Sequence, residues 1–172
     1  HQKNNSGFLL NTLNLESDLT RESLRYMYRL LFLFYIESRP ELGFIPSKSQ
    51  AFIKGYSLET LRDLELMPLL TDSDKNGYFF DESIKLYFDM IFNGAEDKGT
   101  VWSGRKKAFS IAPLKSHLFD PEKTPLLNKV KLRNHIWQEI IQSLSLSKEQ
   151  KGRNQRGRIS YANLGINQLG AV

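Results

Sequence analysis

Apolar residues recur at spacings of three and four along much of the chain, and this is the period of an amphipathic helix. The clearest stretch lies between Thr20 and Glu37, where Leu24, Leu31 and Phe34 share one face. Its last two turns are apolar on almost every side, which predicts a helix at the centre of the core. Arg21, Arg25 and Arg29 follow each other four residues apart on another face, so we expect these three side chains to be solvated.

The same periodicity, read together with caps and breakers, predicts four helices at about residues 20–37, 57–67, 81–93 and 126–143. Ser57 is suited to cap the second helix, whose residues Leu58, Leu61, Leu64 and Met67 we expect to face inward. Gly94 is suited to end the third, and Thr124-Pro125 to begin the fourth. Residues 40–56 contain several prolines and glycines and are predicted to be a loop.

These elements predict a mainly α fold, an irregular multi-helix domain with long loops and at most a few short strands. Short strands are expected at residues 108–111 and 159–161. We expect residues 1–147 to form the helical domain and residues 148–172 to be a basic linker. Within that linker, Leu164 to Val172 has the pattern of a helix beginning, so we expect the chain to be part of a longer polypeptide.

Composition removes several classes of protein. The 172 residues include no cysteine, which excludes disulfides, thiolate zinc sites and cysteine nucleophiles. The longest apolar run, from Leu30 to Ile36, is far shorter than the roughly 20 residues that a membrane span needs. We therefore expect no membrane contact and an intracellular location.

The net charge of +5 is unevenly distributed along the chain. Residues 1–100 hold 11 Lys/Arg against 15 Asp/Glu, whereas residues 101–172 hold 13 against 4. The first part is therefore acidic by −4 and the second basic by +9. Because basic segments of this density commonly bind polyanions, nucleic acid is the leading candidate partner.

Two clusters of cations are candidates for contact with DNA phosphates. The larger one is interleaved with Gly, Asn and Gln and consists of Lys148, Lys151, Arg153, Arg156 and Arg158. The smaller one consists of Arg105, Lys106 and Lys107. Flexible backbone with Arg, Asn and Gln suits phosphate contact, although a solvated linker would have the same composition.

Three other motifs are incomplete. Asp72–Gly77 matches the opening of an EF-hand loop, but Ser83 occupies the twelfth position, where calcium needs a bidentate Glu. Gly99–Lys106 imitates a P-loop without its Gly-Lys-Ser/Thr ending. His117 and His135 have no nucleophile motif around them. We expect no catalytic, cofactor-binding or metal-binding residue in this chain.

The order of several segments resembles large bacterial N6-adenine DNA methyltransferases, which include type IIG restriction–modification enzymes and phage-defence methyltransferases. The first segment, Arg29–Gly43, contains a run similar to the RLLFLLYAE run upstream of their catalytic domain. Gly55–Leu64, Gly77–Ile84 and Leu114–Leu127 are similar to further blocks. Gly157–Val172 resembles the sequence that leads into the methyltransferase domain.

The resemblance implies a position before the catalytic domain, because the chain has no Pro-Pro pair for an Asn-Pro-Pro-Tyr motif and no Gly-x-Gly turn. The longer protein would be located in the bacterial cytoplasm and would use S-adenosylmethionine, and this part would hold no cofactor. The implied function is a non-catalytic helical module that braces flanking methyltransferase and nuclease domains and assists binding of double-stranded DNA. One alternative is a structural spacer or protein-interaction domain without DNA contact, and another is a calcium-binding helical protein.

Overall fold

The computed structural model describes residues 14–96, 109–147 and 157–162, and its mainly helical architecture confirms the predicted fold class. In chain order the helices are α1 (Leu15–Ser38), α2 (Gln50–Gly55), α3 (Leu58–Leu64), α4 (Asp72–Asn76), α5 (Phe79–Asn93), α6 (Pro125–Lys129) and α7 (Asn134–Ser145). Two-residue strands β1 (Ala95–Glu96) and β2 (Ser110–Ile111) pair antiparallel, and 3₁₀ turns cover Pro40–Leu42 and Pro121–Lys123. The predicted helix start at Leu164 lies outside the described residues.

The long helix α1 lies at the centre of the fold. Its 24 residues span about 36 Å, and Leu30, Leu33 and Ile36 are at most 1% exposed. Apolar residues of α3, α5 and α7 join them in one core cluster, which includes Leu58, Ile84 and Trp137. The helix that is apolar on most sides therefore supplies the middle of the core, as its sequence pattern predicts.

Two carboxylates of α1 cap the N-termini of other helices. Glu22, which is buried, accepts the backbone N–H groups of Leu126 and Leu127 at 3.0 and 2.8 Å. Glu37 accepts those of Leu58 and Glu59 at 2.8 and 3.1 Å. Because the first N–H groups of a helix have no partner within it, α1 fixes the start of both α6 and α3.

Arg29 is buried, and the prediction that it is solvated is wrong. Its guanidinium donates to the carbonyl oxygens of Leu118 and Asp120 at 2.7 and 2.9 Å. The same group lies over the rings of Tyr26 and Phe88 at 5.2 and 5.3 Å. Bound carbonyls and aromatic faces compensate the desolvation of the charge, and periodicity alone could not reveal these distant partners.

The single helix predicted at residues 126–143 is two helices, α6 and α7, separated by Val130–Arg133. Lys85 donates to the carbonyl oxygen of Val130, and Asp81 accepts the N–H of Leu132 at 3.2 Å. The N–H of Asn134 donates to the carbonyl of Gly77 at 2.9 Å. The backbone groups that a continuous helix would use are instead bonded to side chains of α5 and to the carbonyl of Gly77, just before α5. These bonds interrupt the helix.

The structure also differs from the sequence prediction at two places between α1 and α4. The loop predicted at residues 40–56 contains α2, which begins after Ser49, whose hydroxyl accepts the N–H of Phe52. The helix predicted at 57–67 is capped by Ser57 but ends at Leu64. Met67, expected to face inward, is 58% exposed.

Antiparallel backbone pairs join the ends of two chain segments. In the first, Ala95 is opposite Ile111 and Glu96 opposite Ser110. In the second, Leu146 is opposite Arg158 in an isolated bridge, rather than in a strand at residues 159–161. Each pair therefore holds together the two ends of one connection, residues 97–108 in the first and residues 148–156 in the second.

Candidate interaction surfaces

The two basic clusters belong to the two connections that these antiparallel pairs close. Residues 97–108 run from β1 to β2, and residues 148–156 join the two sides of the Leu146–Arg158 bridge. The N–H of Ser147 donates to the carbonyl of Gly157 at 2.8 Å, next to that bridge. Of the sequence candidates, Arg158 lies in the described part; those outside it are Arg105, Lys106, Lys107, Lys148, Lys151, Arg153 and Arg156.

These two connections contain the whole excess of positive charge. Together they hold eight Lys/Arg and two Asp/Glu, a net charge of +6. The remaining residues hold 16 Lys/Arg against 17 Asp/Glu, a net charge of −1. The division of the sequence into acidic and basic parts therefore becomes a division between the helical body and two connections.

Both connections end beside the neighbouring helices α2 and α3. At the base of the first, the ring of Phe109 lies 5.8 Å from Phe52 of α2 and 5.4 Å from Tyr56. At the base of the second, Arg158 contacts α3, whose first residue is Leu58. The α2–α3 pair therefore anchors the C-terminal end of each basic connection.

Arg158 itself is held by three carboxylates. Its guanidinium lies 2.9 Å from Asp63, 3.3 Å from Glu59 and 3.8 Å from Glu65. The hydrogen bond to Asp63 is the largest cause of the raised pKa of Arg158. Its charge is therefore balanced within the protein, which gives Arg158 an anchoring contact that the sequence did not suggest.

Glu65 is a buried acid that the sequence analysis missed. It is 0% exposed, and the hydroxyl of Ser145, also 0% exposed, donates to its Oε2. Its Oε1 has no hydrogen-bond partner, and the Nε of Arg158 is 3.8 Å away. Glu65 thus links α3, the end of α7 and the bridge residue Arg158.

An apolar loop, Leu66–Leu70, follows this acid on the surface. Leu66, Met67 and Leu70 are 63, 58 and 79% exposed. The side chain of Gln138 donates to the carbonyl of Met67 at 2.8 Å, and that of Gln142 to the carbonyl of Glu65. Because α7 fixes the backbone, this loop presents its apolar side chains in a defined place.

The calcium-like motif has a different local structure from an EF-hand loop. Asp72–Asn76 is the helix α4, and Thr71 and Asp74 form a reciprocal capping box at its start. The N–H of Thr71 holds the pKa of Asp74 below its ordinary value. Asn134 donates to the carbonyl of Asp74, and His135 is hydrogen-bonded with that of Lys75. The capping box uses a carboxylate oxygen of Asp74, the third position of the motif, which a calcium loop would keep for the ion.

Glu37 lies at a mixed polar and apolar cleft of about 400 Å³, which Arg62 and Tyr161 also line. Burial raises the pKa of Glu37 from 4.5 to about 7, against the lowering effect of the N–H groups of Leu58 and Glu59. The guanidinium of Arg62 lies over the ring of Phe34 at 5.4 Å. This cleft therefore contains a carboxyl group that titrates near neutral pH.

Within the described ranges, no helix is long and apolar enough to cross a membrane. The same residues include no group of three or more His, Asp or Glu side chains placed to hold a metal ion. His117 is exposed on the turn before Phe119.

No protein family, curated protein or solved structure shows a significant match to this chain.

Proposed function

We propose that the chain is a non-catalytic helical module of a site-specific adenine DNA methyltransferase or restriction–modification protein. It braces flanking domains and assists binding of double-stranded DNA. The sequence resemblance is the basis for the enzyme class, and the DNA-binding role rests on the concentration of a net charge of +6 in two connections. Sequence-independent binding to DNA depends mainly on cations that neutralise phosphates.

In this proposal Lys148, Lys151, Arg153 and Arg156 contact phosphates, together with the Arg105–Lys107 cluster. Arg158 anchors the larger connection on α3, because Asp63, Glu59 and Glu65 already balance its charge. The bracing role uses the apolar loop Leu66–Leu70, which offers large exposed side chains on a fixed backbone.

The competing proposal is a spacer or interaction domain without DNA contact. The internal pairing of Arg158 favours it, since one of the candidate cations already has protein partners. In this reading the other cations keep a linker solvated and the apolar loop is the functional surface. The two proposals differ in one measurable property, the affinity of the module for duplex DNA and its dependence on salt.

The test replaces Lys151, Arg153 and Arg156 by alanine and measures duplex binding by fluorescence anisotropy over a range of salt. Each lost phosphate contact should reduce the slope of log affinity against log salt by about 0.9. The matched control changes three exposed cations of the helical body, Arg21, Lys75 and Lys129, to alanine. It removes the same net charge and should leave most of the affinity.

Equal losses in both triple variants would mean that net charge alone matters, and unchanged binding in the first would favour the spacer. The enzyme class has a separate test, the reading frame after Val172. We expect it to encode an Asn-Pro-Pro-Tyr motif within the next few hundred residues, and a stop codon soon after Val172 would contradict the class.

A further inference from the structure

A cavity of about 210 Å³ lies where α1, α5 and the segment before α6 meet. Aromatic rings form much of its wall, namely Tyr26 of α1, Phe88 and Phe92 of α5, and Phe119. Ligands of drug size need about 300–1,000 Å³, so this cavity has room for a molecule of roughly one ring. None of the described residues that line it belongs to the apolar loop Leu66–Leu70.

Arg29 places a buried positive charge in the wall of this cavity. The residue is 2% exposed, and its Nε and Nη2 donate to the carbonyl oxygens of Leu118 and Asp120. The third nitrogen, Nη1, donates to no group of the described residues, so it can still donate to a ligand. The carbonyl oxygens and the neighbouring rings of Tyr26 and Phe88 carry no net charge, and the positive charge of the guanidinium remains.

No carboxylate of the described residues pairs with Arg29, although two acids are close in the fold. Glu22 instead accepts the first N–H groups of α6, and the carboxylate of Asp120 accepts the N–H of Glu122 at 2.9 Å. Burial lowers the pKa of Arg29, although Asp120 and Glu22 act in the opposite direction. Buried charges in proteins are generally paired, so an anionic ligand group would complete this site.

The other charged groups that line the cavity have partners of opposite charge close by. Lys85 lines the cavity, and Oδ2 of Asp81 lies 2.9 Å from its ammonium nitrogen. Asp89 lines the exposed rim, where its carboxylate accepts from the side-chain amide of Asn93 at 2.7 Å. Lys115 donates to the same side chain of Asn93 at 2.7 Å, which brings an opposite charge beside Asp89.

We propose that this cavity is a binding site for a small aromatic carboxylate. The carboxylate group accepts from Nη1 of Arg29, and charge-assisted bonds of this kind are among the stronger hydrogen bonds in proteins. The ring of the ligand packs against the aromatic wall. A phosphate ion would match the charge but not the apolar wall, and a neutral ring would match the wall but not the charge. The site does not depend on DNA contact or on the enzyme class.

The first measurement compares benzoate with benzamide, its uncharged counterpart, by isothermal titration calorimetry on the full chain. Benzoate should bind at least about tenfold more tightly, because its carboxylate makes the charge-assisted bond to Arg29. It should also raise the Tm of the protein as its concentration increases, since it binds the folded state. Inorganic phosphate is the probe for a site that recognises charge alone, and it should bind more weakly than benzoate.

Phe92→Trp tests the place of binding without changing Arg29. Phe92 is half-buried at the cavity wall, and the larger indole should fill part of the cavity and weaken benzoate binding at least about tenfold. The matched control is Leu86→Trp, which adds the same side chain to a position of α5 that is 48% exposed and should leave the affinity unchanged. Arg29→Met removes the charge and should abolish binding in protein that circular dichroism shows to be folded. If that variant does not fold, the two tryptophan variants decide alone.

Equal affinities for benzoate and benzamide would overturn the proposal, because the charge of Arg29 would then have no role in binding. The same benzoate affinity in Phe92→Trp and in the parent protein would place binding outside the cavity. Tighter binding of phosphate than of benzoate would assign the site to inorganic anions. Either of these results, or no detectable binding of benzoate, would also overturn the proposal.

Discussion

The two halves of α1 have very different surroundings, although they belong to one continuous helix. In the C-terminal half, Leu33, Phe34 and Ile36 are at most 3% exposed, and Tyr161 covers the outer side of Phe34. In the N-terminal half, Leu24 is 48% exposed and Met27 is on the wall of an open cleft. The difference follows from what packs on each half rather than from the helix itself.

Polar contacts hold the elements that cover the C-terminal half. Glu37 caps α3, and Arg158 ties the same helix to the bridge after α7. The N-terminal half also caps a helix, through Glu22 and α6, but that helix lies beside the cleft and leaves it open. Substitutions in the core of the C-terminal half, at its Glu37 cap and at the Arg158 ion pairs should therefore lower the stability of the protein by decreasing amounts.

The largest effect should come from Leu33→Ala in the core of the covered half. Leu33 is 0% exposed, so the change removes packed methyl groups and leaves a cavity that costs about 2–5 kcal/mol of unfolding free energy. Leu24→Ala is the matched control on the same helix, and it should change stability by less than about 0.5 kcal/mol. Urea denaturation measures both, and similar losses in the two variants would contradict the difference between the halves.

The sequence predicted this core well, because core packing and helical periodicity involve the same residues. It missed the burial of Arg29, the break at Val130–Arg133 and the buried acid Glu65. Each of these depends on partners far away in the chain, such as the carbonyls of Leu118 and Asp120 for Arg29. A polar side chain carries no local pattern that identifies a distant partner.

The candidate DNA surface was predictable in a different way. Charge clusters are visible in the sequence without knowledge of the fold, and this identified the Lys148–Arg158 cluster. The sequence could not distinguish Arg158 from its neighbours, because the carboxylates that pair with it are on α3, about 95 residues earlier. The prediction that Met67 faces inward is wrong for a similar reason. The helical pattern continues through Met67, but the helix ends at Leu64 and Gln138 of α7 donates to the carbonyl of Met67.

The polar cap of the covered half should make stability depend on pH. In the folded protein the pKa of Glu37 is about 7, above the ordinary 4.5, so the folded state holds a proton that the unfolded state releases. The stabilising contribution is complete below about pH 4.5 and is lost as pH rises through about 7, with a total change of about 3 kcal/mol. Glu59 and Tyr87 are the titratable neighbours of this carboxyl group.

Glu37→Gln isolates this contribution, because the amide resembles the protonated acid and cannot ionise. The difference in Tm between the variant and the parent protein should therefore widen in favour of the variant from pH 5 to pH 8. Glu41→Gln is a control on an exposed acid nearby, and its Tm difference should stay constant over the same range. A constant difference for Glu37→Gln would show that its pKa is ordinary.

The smallest effect should come from the outer ion pairs, through Arg158→Ala. The guanidinium and its partners Asp63 and Glu59 are 38, 67 and 50% exposed, so solvent screens the pairs and the loss should be about 1 kcal/mol. Salt should weaken this difference further, which a denaturation series at two salt concentrations can measure. Because this charge is balanced inside the protein, duplex affinity should fall far less than in the Lys151, Arg153 and Arg156 triple variant. A loss of DNA affinity without a loss of stability would instead assign Arg158 to the DNA surface. It would also show that the packing on the C-terminal half of α1 does not depend on the ion pairs of Arg158.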